Sequence, residues 1–355
     1  MHKIKMANTS ESANLIRSVA IIGSGMSGLT AATRLKDAGV SVVLFEKSRG
    51  PGGRLAAKRV GDGAIDIGAQ YFTIRSDDFR EFLDTYAGKD CYAQWDGKLR
   101  YQTPDKRWTA FRASTRYVGV PRMTAISRAL SAGLDIRFET RISHLARDEN
   151  QKWLVFDADE QVEGHFDAVI VTTPPAQARD LMIDSGLDIS LQDPVFHDYP
   201  LQACWTVAAR FSEPVPFDGD GLSAEHPILQ WAANNSSKPG RASKADGGVE
   251  GDWWVLHARA DWSEMHQHAS ADWVREQMLN GFAEVIDAPV RAEESRIHRW
   301  LYAKTASDQK APGHRWYPVL RVGLCGDWLQ GGRVEGAFES AGSLLDELRQ
   351  RGAIR

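Results

Sequence analysis

Gly23, Gly25 and Gly28 form GxGxxG between a β-branched run, SVAII at 18–22, and the helical repeat Leu29, Ala32, Leu35 and Ala38, which Gly39 stops. In that setting each glycine has its own task. The first permits a tight turn, the second lets backbone approach a pyrophosphate, and the third lets helix and strand pack closely. Amide groups at the helix start, around Met26 and Ser27, then face the phosphates. A second buried run, SVVLF at 41–45, leads into Glu46 and Lys47. Glu46 stands close to the spacing of about 20 residues at which an acid accepts hydrogen bonds from ribose hydroxyls. Strand, helix, strand and acid together read as an adenine-dinucleotide site on a parallel sheet covered on both faces. The pattern alone leaves NAD and FAD both open.

A second glycine pair follows in SRGPGGRLAA, residues 48–57. Here the sequence resembles the flavoproteins with a glutathione-reductase-like FAD fold, whose opening signature runs on into a GGR element matched by Gly52, Gly53 and Arg54. The resemblance implies non-covalent FAD, with Arg54 beside the pyrophosphate and ribityl chain. FAD extends past its pyrophosphate and needs a further close backbone approach and a bidentate cation. CGDWLQGGRVEGAFESAG at 325–342 matches the group's other half. There Gly326 and Asp327 would bind the ribityl hydroxyls, and Arg333 and Val334 would open a helix aimed at the flavin pyrimidine. A helix start in that place stabilises the negative charge that hydride transfer to N5 leaves around N1 and the C2 carbonyl.

Further stretches resemble the bacterial renalases: GAQYFTIR (68–75), RYVGVPRM (116–123), HFDAVIVTTPP (165–175), HRWLYA (298–303), and CGDW followed by GRVEGA. The likeness spans about residues 17–350. It implies oxidation of the 2-dihydro and 6-dihydro isomers of NAD(P)H to NAD(P)+, with O2 reoxidising the flavin to give hydrogen peroxide. It also implies flavin contacts from Ala69 and Gln70 and adenine contacts from the Ile142 backbone. The substrate would be bordered by Tyr71, Phe72, Thr73, Arg75, Val118 and Gly119. Trp205 and Trp328 are further wall residues, although large aromatics such as these and Tyr71 serve equally as core. His257 and His298 lie in strand-like segments that could approach the flavin, yet hydride transfer from a reduced ring requires no general base. Arg75, Arg116 and Arg259 could meet a substrate phosphate or stay solvated. The same scaffold would support an amine oxidase or desaturase, and a flavin-bound sensor without turnover is the alternative from another class.

The expected fold class is α/β, from the strand–helix order; composition is that of an ordinary soluble globular protein of 355 residues, and its formal net charge of -4 argues against nucleic acid as a partner. Cys91, Cys204 and Cys325 show no CxxC spacing, and His266 and His268 lack partner ligands, so neither disulfides nor a metal site is expected. A cytoplasmic setting, no membrane span and a frayed tail at 1–14 follow from the thiols and the strand-length apolar runs. The elements that must position the site form a discontinuous FAD-binding Rossmann domain (15–85, 120–182 and 296–355) and a mainly antiparallel β substrate domain (86–119 and 183–295). Helices are expected near 77–86, at 121–132, through Val274, Met278, Phe282 and Val285, and from Val334 onward. HFDAVIVTTPP and VLRVGLCGDW read as single buried strands. The run 234–252, NNSSKPGRASKADGGVEGD, reads as a solvated loop. Oligomeric state is not legible.

Overall fold

The computed structural model describes residues 15–61, 63–241, 251–306 and 311–355; the expected tail at 1–14 lies outside them. A six-stranded sheet runs in the order Arg315–Tyr317, Val322–Leu324, Ala168–Val171, Ser18–Ile22, Ser41–Phe45 and Asp135–Arg137, with every neighbour parallel except the first pair. Val19, Ala20 and Ile21 are fully buried, as a strand covered on both faces requires. The helix Met26–Asp37 buries Leu29 and Leu35 on this sheet, and the helix Val334–Gln350 brings Ala341, Leu344 and Leu345 into the same core. The first and last helices of the described residues thus share one layer. Among the described residues no helix is long and apolar enough to cross a membrane.

The seven-stranded sheet is ordered Glu294–Thr305, Leu201–Phe211, Asp252–Ala258, Leu229–Asn234, Gly221–Ser223, Leu99–Gln102 and Trp108–Ala110. Its pairs are antiparallel apart from Gly221–Ser223 with Leu99–Gln102. One face packs Val207, Phe211, Trp254 and Leu256 against Val274, Met278 and Phe282 of the helix Ala271–Ile286. Residues alternate faces along a strand, so Thr206 and His257 point the other way, towards the hairpin Ala57–Asp66 and the segment behind it.

Five sequence readings change. The strand Glu294–Thr305 pairs with Leu201–Phe211 along its length, so a boundary at 296 cuts through a strand of the substrate-side sheet. The run 165–175 splits into Val162–Phe166, in a three-stranded sheet, and Ala168–Val171. The Asp167 carboxylate between them accepts from Arg17 N–H at 2.9 Å and Ser18 N–H at 3.0 Å, which turns the chain from one sheet to the next. The helix expected over 121–132 covers only Thr124–Leu130, and the strand within 319–328 only Val322–Leu324. Finally, residues 235–241 are no solvated loop. Asn235, Lys238 and Arg241 are buried, while 242–250 of that run lies outside the described residues.

Candidate cofactor and substrate site

The glycines at the first turn can be told apart by what a side chain would meet. A Cβ on Gly28 would lie 2.1 Å from the Gly23 carbonyl oxygen, so close packing of helix on turn forbids it, and Gly23 itself has φ +104. A Cβ on Gly25 would meet nothing within 4 Å. The fold therefore does not require glycine at 25, whereas a ligand lying on the backbone does. Gly53 looks across at it: its Cβ would lie 3.8 Å from the Gly25 Cα, and Gly52 N–H donates to the Ser24 carbonyl at 2.9 Å. The second glycine pair thus completes a strip of bare backbone facing the first.

The helix Met26–Asp37 has no side-chain cap and no acid in its first turn, so its first amides stay available to an anion. Glu46 is buried; its Oε2 accepts from Ser24 N–H at 3.0 Å and Ser24 Oγ at 2.9 Å, and its Oε1 accepts from Ser48 N–H at 2.9 Å. Oε1 keeps a lone pair for a hydroxyl. Thr140 N–H donates to the Glu46 carbonyl at 3.0 Å, which brings the strand starting at Ile142 beside it; Lys47 is exposed next door.

Arg54 is bidentate to Asp327, Nη1 to Oδ2 at 2.9 Å and Nη2 to Oδ1, and Nη1 also donates to the Ala303 carbonyl at 3.1 Å. The GGR and GD elements therefore touch across the fold. Ser27 Oγ reaches Cys325 Sγ at 3.2 Å, and burial pushes that thiol up to about 12. Ala69 N–H donates to the Arg54 carbonyl at 2.9 Å. Gln70 turns inward: its amide donates to the Asp66 and Gly68 carbonyls and accepts from Lys238 Nζ at 3.0 Å. Gly331, Gly332 and Arg333 run at φ +71, +78 and +73 before the C-terminal helix begins at Val334. Such backbone is costly for the non-glycine Arg333, whose side chain is exposed.

Beside the seven-stranded sheet, Tyr71, Phe111 and Trp231 meet ring to ring, with the Trp231 centroid 5.7 Å from Tyr71 and 5.5 Å from Phe111. The Arg116 guanidinium lies 5.3 Å from the Tyr71 ring and 4.9 Å from Phe111. Trp231 pairs in register with His257, His257 with Thr206, and Thr206 with His298, giving one row across four strands. Burial holds the His257 pKa at about 4 despite the Ile67 carbonyl against its ring, so it is neutral near pH 7.

Several expected wall residues sit elsewhere. Trp205 occupies the opposite sheet face from Thr206, with its N–H on Ser263 Oγ at 3.0 Å and its indole N–H on the His266 carbonyl. Trp328 is 1% exposed and donates to the Thr173 carbonyl at 3.2 Å, in the core behind the Rossmann sheet. Phe72 packs with Phe79, Tyr92 and Tyr117, and Val118 is fully buried, so both serve the core. Thr73 is half-buried and Arg75 exposed; the Arg75 and Ser76 N–H groups donate to Glu335 at 2.9 and 2.8 Å. Gly119 offers its carbonyl to Arg241 at 2.7 Å. Of the arginines, Arg259 pairs with Asp261. Trp231, Phe111, Asp66, Lys238, Arg241 and Glu335 were not singled out from the sequence. The only hint was polar residues inside apolar patterns, Asp66 in AIDIG and Glu335 in a first helical turn. A surface hollow of about 500 Å³ lined by Arg34, Asp37, Tyr86 and Arg349 shares no residue with this site.

Residues 91–343 match the family described as flavin containing amine oxidoreductase, and residues 21–86 match the NAD(P)-binding Rossmann-like domain. The first match spans more than half of the chain, which belongs to that family; it is a flavin-dependent oxidoreductase with FAD as its cofactor. The open space over Gly25, the uncapped helix start and the free lone pair on Glu46 fit that dinucleotide. A stretch of 54 residues is 48% identical to the 1-hydroxycarotenoid 3,4-desaturase of Flavobacterium sp. (strain P99-3), covering 15% of this chain and only 11% of the desaturase. The fold is similar to a protein from Exiguobacterium sp. 255-15 that carries the name of a protoporphyrinogen oxidase (TM-score 0.74, 12% identity, 94% of this chain and 99% of that one). It is also similar to cyclohexylamine oxidase from Brevibacterium oxydans IH-35A (TM-score 0.70, 13% identity, 94% and 100%) and to putrescine oxidase (TM-score 0.69, 13% identity, 94% and 99%).

Proposed function

We propose that the chain oxidises dihydronicotinamide dinucleotides, the 2-dihydro and 6-dihydro isomers of NAD(P)H, to NAD(P)+. Bound FAD supplies the two-electron acceptor: a hydride leaves the dihydro ring, and the electrons pass to O2 with two protons, giving H2O2. In this reading Gly25, Gly53, Glu46 and the uncapped helix at Met26 hold the dinucleotide end of the cofactor, and Arg54 with Asp327 fixes its middle. Tyr71, Phe111 and Trp231 keep water from the reacting ring and hold it flat.

The observation that carries the substrate class is charge. Arg116 lies over the aromatic wall, and the buried group behind Gln70 holds Lys238 and Arg241 against the single acid Asp66. Positive charge there repels a protonated amine and attracts the pyrophosphate of a dinucleotide. Burial holds His257 at about 4, far too weak a base to remove a proton near pH 7, and a hydride donor needs no base. The second reading, an amine oxidase or desaturase, has the family and the named relatives behind it. Rapid anaerobic mixing of the yellow holoenzyme separates the two. The 2- and 6-dihydro isomers should bleach it within the dead time to seconds, while amines leave it yellow; bleaching by amines alone would reverse the assignment.

A further inference from the structure

The row that joins Trp231, His257 and Thr206 holds three buried polar atoms without a partner among the described residues, and those of Trp231 and His257 are neighbours. Trp231 Nε1 and His257 Nε2 are buried and lack a hydrogen-bond partner among the described residues. A buried donor or acceptor left unmade costs about 1–3 kcal/mol, so two side by side need a reason. They are not scattered. Trp231 and His257 are register partners on neighbouring antiparallel strands, which puts their side chains on one face about 5 Å apart at Cβ. That face carries Tyr71 and Arg116, and Trp231 touches Tyr71 directly.

Their chemistry is complementary. An indole N–H only donates. Nε2 of the imidazole has no partner, so the contact with the Ile67 carbonyl falls to the other ring nitrogen, and burial with the Lys238 and Lys304 ammoniums keeps the ring uncharged. His257 Nε2 is then an acceptor. A donor beside an acceptor next to the Tyr71 and Trp231 rings matches a planar group that carries the opposite pair on one carbon.

The geometry points to a carboxamide subsite: Trp231 Nε1–H donates to the amide oxygen of the substrate's nicotinamide, and His257 Nε2 accepts from its NH2. This rests on the dinucleotide reading above and makes both side chains specificity-determining residues. It requires no proton transfer or covalent step. The pair would also fix which edge of the ring meets these two side chains, and hence which ring carbon faces the cofactor, because the carboxamide marks one side of an otherwise nearly symmetric heterocycle.

The test uses oxidised holoenzyme and reads ligand binding from the change in its flavin absorbance. Three probes are titrated: NAD+, the analogue whose carboxamide is replaced by acetyl, and ADP-ribose, which has no ring. The acetyl group keeps the acceptor oxygen and loses the NH2. His257→Leu should weaken NAD+ by about 5-fold or more and leave the acetyl analogue within about twofold. Trp231→Phe should weaken both and leave ADP-ribose unchanged. Equal losses for NAD+ and the acetyl analogue in His257→Leu, or equal losses for NAD+ and ADP-ribose in Trp231→Phe, overturn the subsite. Should His257→Leu fail to retain FAD, the Trp231→Phe comparison decides alone. Failure of the underlying reading looks different: wild-type enzyme would then not be reduced by any dihydronicotinamide isomer, whatever the variants bind.

Discussion

Changing Asp66 to Asn should be among the most damaging single substitutions outside the glycine turns, and the reason is electrostatic. Asp66 is fully buried and accepts from Met123 N–H at 2.9 Å, from Lys238 Nζ at 3.3 Å and from Arg241 Nη2. Burial by itself pushes its carboxyl up, yet the two cations and the Met123 amide overcome it and hold the group below its ordinary value. Asn keeps the shape and removes the charge, leaving Lys238 and Arg241, 2% and 7% exposed, without a counter-ion. Breaking a buried pair in this way costs about 3–5 kcal/mol, against a total stability of about 5–15 kcal/mol. Urea unfolding at fixed excess FAD, monitored at pH 7, measures it, the fixed FAD being needed because cofactor binding adds its own stability. The sign in acid follows from the same shift. A carboxylate with a depressed folded value stabilises above its unfolded pKa of about 3.9, and that stability goes as pH falls through the folded value. Asp66→Asn should therefore flatten the acid limb of the stability curve. Adding Lys238→Met to Asp66→Asn restores the native excess of one positive charge and should recover at least half of the loss. A loss under about 1 kcal/mol for Asp66→Asn, or no recovery in the double variant, would refute the account.

Gly25→Ala and Gly28→Ala should part company. The Gly28 methyl would sit 2.1 Å from the Gly23 carbonyl and lower apoprotein stability by about 1–3 kcal/mol, measured by thermal or urea unfolding. The Gly25 methyl enters open space, so the apoprotein should stay within about 0.5 kcal/mol of wild type while FAD affinity, titrated by fluorescence quenching, drops about tenfold or more; equal effects on both quantities would remove the assignment of that strip to the cofactor. Arg116→Ala should raise KM for the dinucleotide isomers several-fold and shallow its dependence on ionic strength, with kcat little changed. A KM insensitive to both the substitution and salt would place Arg116 outside the substrate's reach.

How far the sequence reveals this site depends on what kind of constraint each part obeys. The glycine turn, Glu46, the GGR element and the Gly-Asp before the last helix are local: each needs a residue type at a fixed offset in strand–turn–helix order, and one pass along the chain finds them. The aromatic wall is not local. Trp205, Trp231 and Trp328 look alike in sequence, and which of them faces the site is settled by strand parity and register. A one-residue shift moves a side chain to the other face, so Trp205 falls behind the sheet, while Trp231, on a strand with an irregularity between Leu229 and Trp231, falls in front of it. The buried charges were masked by a composition rule. NNSSKPGR has the makeup of a solvated loop, and only the distant partner Asp66 turns Lys238 and Arg241 inward.

That distant pairing also explains why the two halves of the site hold together. Asp66 is the last residue of a hairpin strand, and the backbone just after it, Ile67 to Ala69, carries the Ile67 carbonyl against His257, the Trp300 indole on that same carbonyl at 3.1 Å, and the Ala69 bond to Arg54. A carbon on Gly68 would lie 2.0 Å from the Arg54 carbonyl, so this segment is pressed directly onto the GGR turn. The cation pair on one side and the Arg54–Asp327 ion pair on the other therefore clamp the same short stretch. Residues 67–71 have no regular structure of their own to fix them, and a wall residue such as Tyr71 can keep a set distance from the cofactor strip only because both of its flanks are tied by charge. Positioning here is done by ion pairs, the Asp66 group fully buried and Arg54–Asp327 only partly so, whose net stabilisation is small but whose geometry is narrow.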